Sequence, residues 1–320
     1  MKKHKIKDTG VEVTELSFGT SSLGSMPDTY GYEVPEQRAQ ETLKRFFQGP
    51  VNLLDTSRNY AMGESEKRIG IAIKENGGWP ENFVLSTKID RNMDTLVLDK
   101  KRTRESIEES LKTLNVDSVD ILFLHDPEYV KDLNDVTKKD GALDELFKIK
   151  EQGLAKAVGL AMGKINIMFP ILKNWDFDVI INHNRYTLLN READEMFSYA
   201  HSKNISIFNA APYAGGVLAK GPSNFKKITY QDVTEEKLAP AREIEKVCKK
   251  YNVEMGAAAL QFSMKDKRIT STLCGVTSVQ SIEKNLSWAN TNIPEELWNE
   301  ILKLPYSTKD PESERIFTPG

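Results

Sequence analysis

Residues 83–125, FVLSTKIDRNMDTLVLDKKRTRESIEESLKTLNVDSVDILFLH, contain a complete strand–helix–strand unit. Phe83 to Ile89 and Val119 to His125 are short apolar runs bounded by polar residues, as in buried parallel strands. Between them, isoleucine and leucine recur at the i, i+4, i+7 spacing of one helix face, which predicts a helix over Arg102 to Asn115. The stretch therefore predicts two parallel strands joined by a helix.

The same kind of apolar run occurs about eight times along the chain, and a helical stretch follows almost every one. The runs are Leu16 to Ser21, Val51 to Thr56, Phe83 to Ile89, Val119 to His125, Ala155 to Ala161, Val179 to His183, Ile205 to Ala211 and Thr270 to Val276. Their spacing is even, and no linker rich in proline, glycine or serine divides the chain. The pattern therefore predicts an α/β protein in which residues 1–320 form one (β/α)8 barrel of the TIM type.

The two ends of the chain lie outside this repeat. Lys5 to Val13 alternates around Asp8-Thr9-Gly10, which indicates a hairpin that could close the bottom of the barrel. Ile293 to Gly320 contains proline and is polar, so we expect a short helix followed by a C-terminal tail.

Composition excludes several function classes. The 320 residues are 39% hydrophobic and 28% charged and carry a formal net charge of −3, so no global field attracts nucleic acid or an anionic membrane. The two cysteines, Cys248 and Cys274, show neither CxxC spacing nor neighbouring histidines, which favours a reducing compartment over a zinc site or a disulfide framework. No signal peptide or membrane span is visible, so we expect a cytoplasmic, unanchored protein.

Four polar residues mark a candidate catalytic site. In a barrel of this type the reacting groups lie at the carboxyl ends of the strands, where Asp55, Lys88 and His125 each follow an apolar run. Tyr60 lies five positions after Asp55, in the loop that leaves the same strand. A lysine ammonium stabilises a phenolate, an aspartate can hold the ammonium, and a histidine can bind a substrate oxygen. We therefore expect Lys88 to lower the pKa of Tyr60, which then transfers a proton to or from a carbonyl oxygen.

Other catalytic arrangements are missing from the sequence. It has no carboxylate pair suited to glycoside hydrolysis, no GxSxG turn, and no HxH or HExxH cluster. We expect a site without a metal.

The stretch Asp55-Thr56-Ser57-Arg58-Asn59-Tyr60, followed by Gly63-Glu64-Ser65-Glu66 and Ile69-Gly70, resembles the DTxxxYGxxxSExxxG signature of the aldo-keto reductases. Ser86-Thr87-Lys88 and Leu124-His125 follow in family order. The resemblance covers nearly the whole chain and implies an NAD- or NADP-dependent oxidoreductase. It makes Tyr60 the acid/base, gives Asp55 and Lys88 the role of tuning it, and lets His125 orient the substrate oxygen.

The string Asp55 to Tyr60, with Asn184 to Leu189, is similar to the branch of this family that oxidises free aldoses at C1. This implies hydride transfer between a nicotinamide and C1 of a small sugar or aldehyde. Two alternatives remain: a general aldehyde reductase, and a cofactor-binding barrel that senses redox state as an interaction module. The complete catalytic set favours an enzyme.

The chain departs from the family pattern at several positions. Ala61 replaces the usual glycine after the tyrosine, a change that alanine tolerates where φ is negative. Ala210 stands where an aromatic residue stacks on the nicotinamide, which leaves Tyr213 as the candidate. Ala161 and Met162 replace the pair that holds the carboxamide. The residues that we then expect to contact the cofactor are Asn182, His183, Tyr213, Gly275, Thr277, Ser281, Lys284 and Asn285.

One of these positions bears on the choice between the two cofactors. Gly275 to Ser278 leads into a helix whose N-terminus is a natural phosphate site. Ser281 stands where members that prefer NADP carry an arginine, and Lys284 is the only nearby cation. We therefore expect NAD to be used at least as well as NADP.

Overall fold

Eight parallel strands form a closed barrel in the computed structural model, which describes residues 1–315. Within the same residues, four further strands form two separate two-stranded sheets. In chain order, the strands of the described residues are β1 (Lys3–Ile6), β2 (Val11–Thr14), β3 (Leu16–Gly19), β4 (Leu53–Asp55), β5 (Val84–Ile89), β6 (Val119–His125), β7 (Ala155–Met162), β8 (Val179–His183), β9 (Ser206–Ala210), β10 (Lys227–Ile228), β11 (Gln231–Asp232) and β12 (Ser271–Gly275). The two-stranded sheets pair β1 with β2 and β10 with β11. The barrel order is β12-β3-β4-β5-β6-β7-β8-β9. All eight predicted strands are confirmed, with each boundary within two residues of its prediction.

Helices surround the barrel. They are α1 (Pro27–Tyr30), α2 (Glu36–Phe47), α3 (Glu64–Glu75), α4 (Lys100–Leu114), α5 (Leu133–Thr137), α6 (Ala142–Glu151), α7 (Ile165–Leu172), α8 (Asp194–Ser202), α9 (Val217–Lys220), α10 (Glu235–Lys250), α11 (Met255–Met264), α12 (Val279–Ala289) and α13 (Glu295–Ile301). The predicted helix over 102–115 is α4, which begins earlier because the Asp99 side chain accepts a hydrogen bond from the Arg102 amide at 2.8 Å. Within residues 1–315, no helix has the length and apolarity to cross a membrane.

The N-terminal hairpin closes the bottom of the barrel, as predicted. Strands β1 and β2 pair antiparallel, with Ile6 opposite Val11. Ile6, Val11 and Val13 are at most 4% exposed and pack with side chains from inside the barrel. At the other end of the chain, α13 is the predicted short helix, and the described part of the tail runs to Arg315. The last five residues of the predicted tail, 316–320, lie outside the described residues.

The alternation of side chains along each strand divides the core in two. One cluster fills the barrel and includes Ile121, Phe123 and Val179, while a larger one lies between the strands and the helices. A Cβ at Gly159 would lie 2.7 Å from the Phe123 ring, so the filled interior requires glycine there. At the upper end, the residues that face the axis form the floor of a cavity.

Candidate active site

The residues that face the axis at the carboxyl ends of three neighbouring strands are polar. Asp55 ends β4, Lys88 lies one residue before the end of β5, and His125 ends β6. In β6, Ile121 and Phe123 belong to the interior core, so His125 faces the axis two positions later. The structure brings these three side chains, all expected from the sequence, to one end of the barrel.

Lys88 is held by two oxygens in an environment closed to solvent. Its Nζ donates to Asp55 Oδ2 and to the carbonyl of Thr56, both at 2.6 Å, and the two charged side chains are at most 2% exposed. The Ser86 hydroxyl donates to the other oxygen of Asp55 at 2.7 Å. Such added hydrogen bonds offset the cost of removing an ion pair from water. An ammonium has three N–H donors, so the third can serve a phenolic or substrate oxygen.

Tyr60 brings its ring against both Lys88 and His125. The Lys88 Nζ lies 4.6 Å from the centroid of the Tyr60 ring, and the His125 ring meets it edge-on at 5.8 Å. Burial, and then the charge of Asp55, raise the pKa of Tyr60 well above its usual value. The prediction that Lys88 lowers the pKa of Tyr60 is therefore wrong for the protein without bound cofactor or substrate. The resident form is a neutral phenol, which is a proton donor.

The backbone directly after Tyr60 is left-handed. Ala61 has φ of +51° and Met62 has φ of +54°, so the condition of a negative φ at Ala61 is not met. For residues other than glycine this conformation costs about 1–2 kcal/mol each. A Cβ at Gly24 would lie 2.5 Å from the Ala61 Cβ, which shows how closely the first loop packs on this one. Packing thus holds the loop that carries Tyr60 in a strained form.

Asp90 is a site residue that the sequence analysis did not identify. It follows β5 directly, is fully buried, and lies with Oδ1 2.7 Å from His125 Nδ1. Burial opposes charge on both groups, but each raises the preference of the other for its charged form, so the pKa of Asp90 is lowered and that of His125 is raised. The alternation of side chains could have indicated it, because Lys88 faces the axis and Asp90 is two positions further on.

A single cavity of about 620 Å³ joins the candidate catalytic side chains to the start of α12. Asp55, Tyr60, Lys88 and His125 line one end of it. The predicted cofactor residues that also line it are His183, Tyr213, Gly275, Thr277, Ser281, Lys284 and Asn285.

Asn182 does not line this cavity. Its neighbours in β8, Ile181 and His183, face the inside, so Asn182 points outward between the strand and the helices. Its Nδ2 donates to the carbonyls of Met162 and Gly163, both at 2.9 Å. The expectation that Asn182 faces the carboxamide is therefore corrected, and His183 is the β8 side chain that reaches the cavity.

Tyr213 lies deep at the cofactor end of the cavity. Its hydroxyl donates to Asn285 Oδ1 at 2.5 Å, and its ring packs edge-on against Trp288, with centroids 5.5 Å apart. These contacts fix one orientation of an aromatic ring in the wall of the cavity. Whether that ring stacks on a nicotinamide stays a prediction.

The start of α12 is arranged differently from the sequence expectation. The Ser281 hydroxyl accepts hydrogen bonds from the amides of Thr277 and Ser278, at 2.9 and 3.0 Å, so it occupies two of the donors that a phosphate would use. Lys284 Nζ lies 2.7 Å from a carboxylate oxygen of Glu254, which also lines the cavity. The one cation that we expected near a 2′-phosphate is thus paired with an acid.

The C-terminal tail folds over the mouth of the barrel. Arg185, at the start of the loop after β8, is fully buried and forms ion pairs with Glu312 and, at 2.5 Å, with Asp310. Arg315 lines the cavity, lies over the Tyr230 ring at 5.1 Å, and pairs with Glu312 at 2.6 Å. A tail expected from its composition alone is therefore part of the cavity wall.

The cavity fits a nicotinamide dinucleotide. It extends from the candidate proton-transfer groups to the N-terminus of an eleven-residue helix. Gly275 borders it with nothing within 4 Å of an added Cβ, which leaves open space beside the backbone. Hydroxyl and amide side chains line the far end beside the Lys284–Glu254 pair. His183, Tyr213, Gly275, Thr277 and Asn285 line the cavity and would hold such a cofactor.

The barrel and its mouth are those expected of a nicotinamide-dependent oxidoreductase, and the comparisons with known proteins identify the family. The aldo/keto reductase family model matches residues 15–304, and the chain belongs to this family. The family uses NAD(P)H, so the expectation of NAD or NADP is confirmed at that level.

Two relatives are similar to this chain over most of its length. L-galactose dehydrogenase of Arabidopsis thaliana is 30% identical over 284 residues, covering 88% of this chain and 85% of the relative. D-threo-aldose 1-dehydrogenase of a Pseudomonas species is 26% identical, covering 91% and 94%. The holo form of an aldo-keto reductase from Bacillus halodurans superposes with a TM-score of 0.79 at 21% identity, covering 99% of this chain and 100% of that one, which confirms the fold.

Proposed function

We propose that the protein catalyses hydride transfer between a nicotinamide cofactor and C1 of an aldose, with Tyr60 as the acid/base. One observation carries the proposal: a single cavity connects Tyr60, Lys88 and His125 to the residues at the start of α12. A substrate oxygen that reaches Tyr60 therefore lies in the same space as a dinucleotide that extends to that helix.

Tyr60 transfers the proton, and Lys88 and His125 stabilise the substrate oxygen. When bound, the nicotinamide gives or takes the hydride. Tyr60 donates its phenolic proton to the carbonyl oxygen in reduction and accepts the hydroxyl proton in oxidation. Lys88, fixed by Asp55 at 2.6 Å, stabilises negative charge on either oxygen, and His125 supplies a second donor. Because burial favours the neutral phenol, oxidation should become faster as the pH rises.

The mouth of the cavity suits a polyhydroxylated substrate. Tyr30, Asn59, Asp126 and Tyr230 line it, so both aromatic rings and hydrogen-bonding groups border the space. Sugars present both apolar faces and hydroxyls, and such walls complement them. The similarity to L-galactose dehydrogenase and D-threo-aldose 1-dehydrogenase supports an aldose in preference to a simple aldehyde.

The charges at the far end favour NAD. A 2′-phosphate brings nearly two negative charges, and a bidentate arginine holds it best. Here Ser281 stands in that position with its hydroxyl already bonded to two backbone amides, and Lys284 is paired with Glu254. The carboxylate of Glu254 also repels a phosphate that approaches Lys284. The cavity wall thus supports use of NAD at least as well as NADP.

A substrate panel tests the proposal. L-galactose, L-fucose, D-arabinose and D-galactose are offered with NAD at alkaline pH, and simple aldehydes with NADH at neutral pH, with the nicotinamide absorbance as the readout. We expect oxidation of at least one aldose, and its loss in Tyr60→Phe. Ready reduction of simple aldehydes with no aldose oxidised would instead indicate a general aldehyde reductase. Cofactor binding without turnover of any substrate would indicate the interaction module.

A further inference from the structure

The carboxylate of Asp90 is bonded so that only one of its oxygens is left for His125. Its Oδ2 accepts hydrogen bonds from the Ser57 hydroxyl at 2.5 Å and from the Asn59 amide at 3.0 Å. Its Oδ1 lies 2.7 Å from His125 Nδ1. Because an ionised carboxylate only accepts, Nδ1 has to carry a hydrogen. The tautomer and the orientation of the ring are thereby set from one side.

The position of Asp90 is itself fixed by α4. Its amide donates to the Ser106 hydroxyl at 3.0 Å, and its carbonyl accepts from Arg102 Nε at 3.0 Å. Both partners belong to a fifteen-residue helix packed on the barrel. Asp90 does not line the cavity, so it does not touch a substrate itself and acts through the residues that it holds, His125 among them.

The charges that face His125 come from several elements. Asp90 follows β5, and Asp126 follows β6 with Oδ1 3.6 Å from His125 Nε2. Lys88 in β5 and Tyr60 after β4 are the other ionisable neighbours. Burial lowers the pKa of His125, but the two carboxylates on opposite sides of the ring raise it by more than burial and Lys88 lower it. The surroundings therefore favour a ring that is protonated on both nitrogens.

We propose that Asp90 is a positioning residue for His125: it holds the ring through Nδ1–H and keeps Nε2 protonated where the substrate oxygen enters. The proposal rests on the proposed function in one respect, namely that the oxygen is that of an aldose or aldehyde. A charged imidazole forms a charge-assisted hydrogen bond, about twice as strong as a neutral one. That bond strengthens as negative charge develops on the oxygen, so it favours the transition state over bound substrate.

The test is ring-nitrogen NMR on the whole protein, in which only four histidines occur and His125→Gln assigns the signal. In the wild type we expect both nitrogens of His125 to be protonated at neutral pH. In Asp90→Asn, the Ser57 hydroxyl and the Asn59 amide should donate to the side-chain oxygen of the new asparagine. Its NH2 group then faces His125 Nδ1. The ring then becomes neutral, with an apparent pKa lower by about 1–3 units, as for the loss of an adjacent opposite charge.

Ser57→Ala is the control for the carboxylate: it removes a hydroxyl that donates to Asp90 Oδ2 and lies 3.3 Å from His125 Nδ1, but it keeps the charge of Asp90. We expect His125 to remain doubly protonated in this variant. Activity provides a second readout: the alkaline limb of kcat/KM for reduction should move to lower pH in Asp90→Asn by the same number of units. Cofactor affinity, followed by the quenching of tryptophan fluorescence to which Trp288 in the cavity wall contributes, should not change.

Two results would overturn the role of Asp90. One is a neutral His125 at neutral pH in the wild type, which decides the question even if Asp90→Asn does not fold. The other is the same titration of His125 in the wild type and in Asp90→Asn. If instead the ring titrates as expected but no aldose or aldehyde is turned over, the positioning of the ring is supported and the proposed function is contradicted.

Discussion

Tyr60→Phe separates proton transfer from every other contribution of the site. The ring keeps its contacts with Lys88 and His125, at 4.6 and 5.8 Å, so only the hydroxyl is lost. The free energy of unfolding should change by about 1 kcal/mol or less, as for one hydrogen-bonding group. A general acid/base contributes about 10²- to 10⁴-fold, or about 3–5 kcal/mol in the barrier. Because Lys88 and His125 remain to stabilise the oxygen, we expect a loss near the middle of that range, about 10³-fold in kcat.

The assay needs three measurements on wild type and variant. These are kcat for the best aldose, the isotope effect with substrate deuterated at C1, and cofactor affinity from tryptophan fluorescence, to which Trp288 in the cavity wall contributes. The isotope effect shows whether the chemical step limits kcat, since slow cofactor release would hide part of the loss. Tyr30→Phe is the control: its hydroxyl lies in the same cavity but is bonded to Ser21 at 2.6 Å, so kcat should fall by less than about tenfold. A Tyr60→Phe enzyme with near-normal kcat and a full isotope effect would refute the assignment.

Three further predictions concern charge. Lys88→Met leaves Asp55 buried without its partner and should lower the free energy of unfolding by about 3–5 kcal/mol, whereas adding Asp55→Asn should recover most of this stability in chemical denaturation but no activity. Ser281→Arg should raise the ratio of kcat/KM for NADP to that for NAD, and a strong NADP preference of the unmodified protein would contradict the argument. Folding raises the pKa of His125 above 6.5 and lowers that of Asp90 below 3.8. The ion pair therefore makes its full contribution to the free energy of unfolding between about pH 3.8 and pH 6.5. The difference in unfolding free energy between wild type and Asp90→Asn should therefore shrink as the pH rises through the folded His125 pKa or falls through that of Asp90; a difference independent of pH would contradict the pairing.

The barrel and its catalytic end could be predicted from the sequence because both depend on local patterns. Apolar runs such as Val119 to His125 define a strand and its end without reference to the rest of the chain. The same two-residue period, applied one step further, assigns Asn182 to the outer face and Asp90 to the face of Lys88, where it meets His125. The sequence analysis assigned Asn182 to the cofactor and missed Asp90 because it used the polarity of residues near strand ends without the direction of each side chain.

Other features depend on contacts between distant segments. Glu254 and Lys284 are thirty positions apart and meet only because α11 and α12 pack side by side. Arg185 meets Glu312 across 127 positions. The positive φ of Ala61 also follows from packing against the first loop, because alanine does not itself favour that conformation. No pattern within a short window of sequence reports such pairs.

The contrast between local patterns and contacts of distant segments also separates the proton-transfer groups of the site from the residues that select its substrate. Asp55, Lys88 and His125 are fixed at strand ends by the hydrogen-bond ladder of the barrel, so their geometry follows from the fold. The mouth, in contrast, takes Tyr30 from the first loop and Arg315 from the end of the described chain. A barrel can therefore keep one proton-transfer arrangement while its loops and tail change the molecule that reaches it. The identity of the substrate depends on those loop and tail contacts, and a substrate panel measures their combined effect directly.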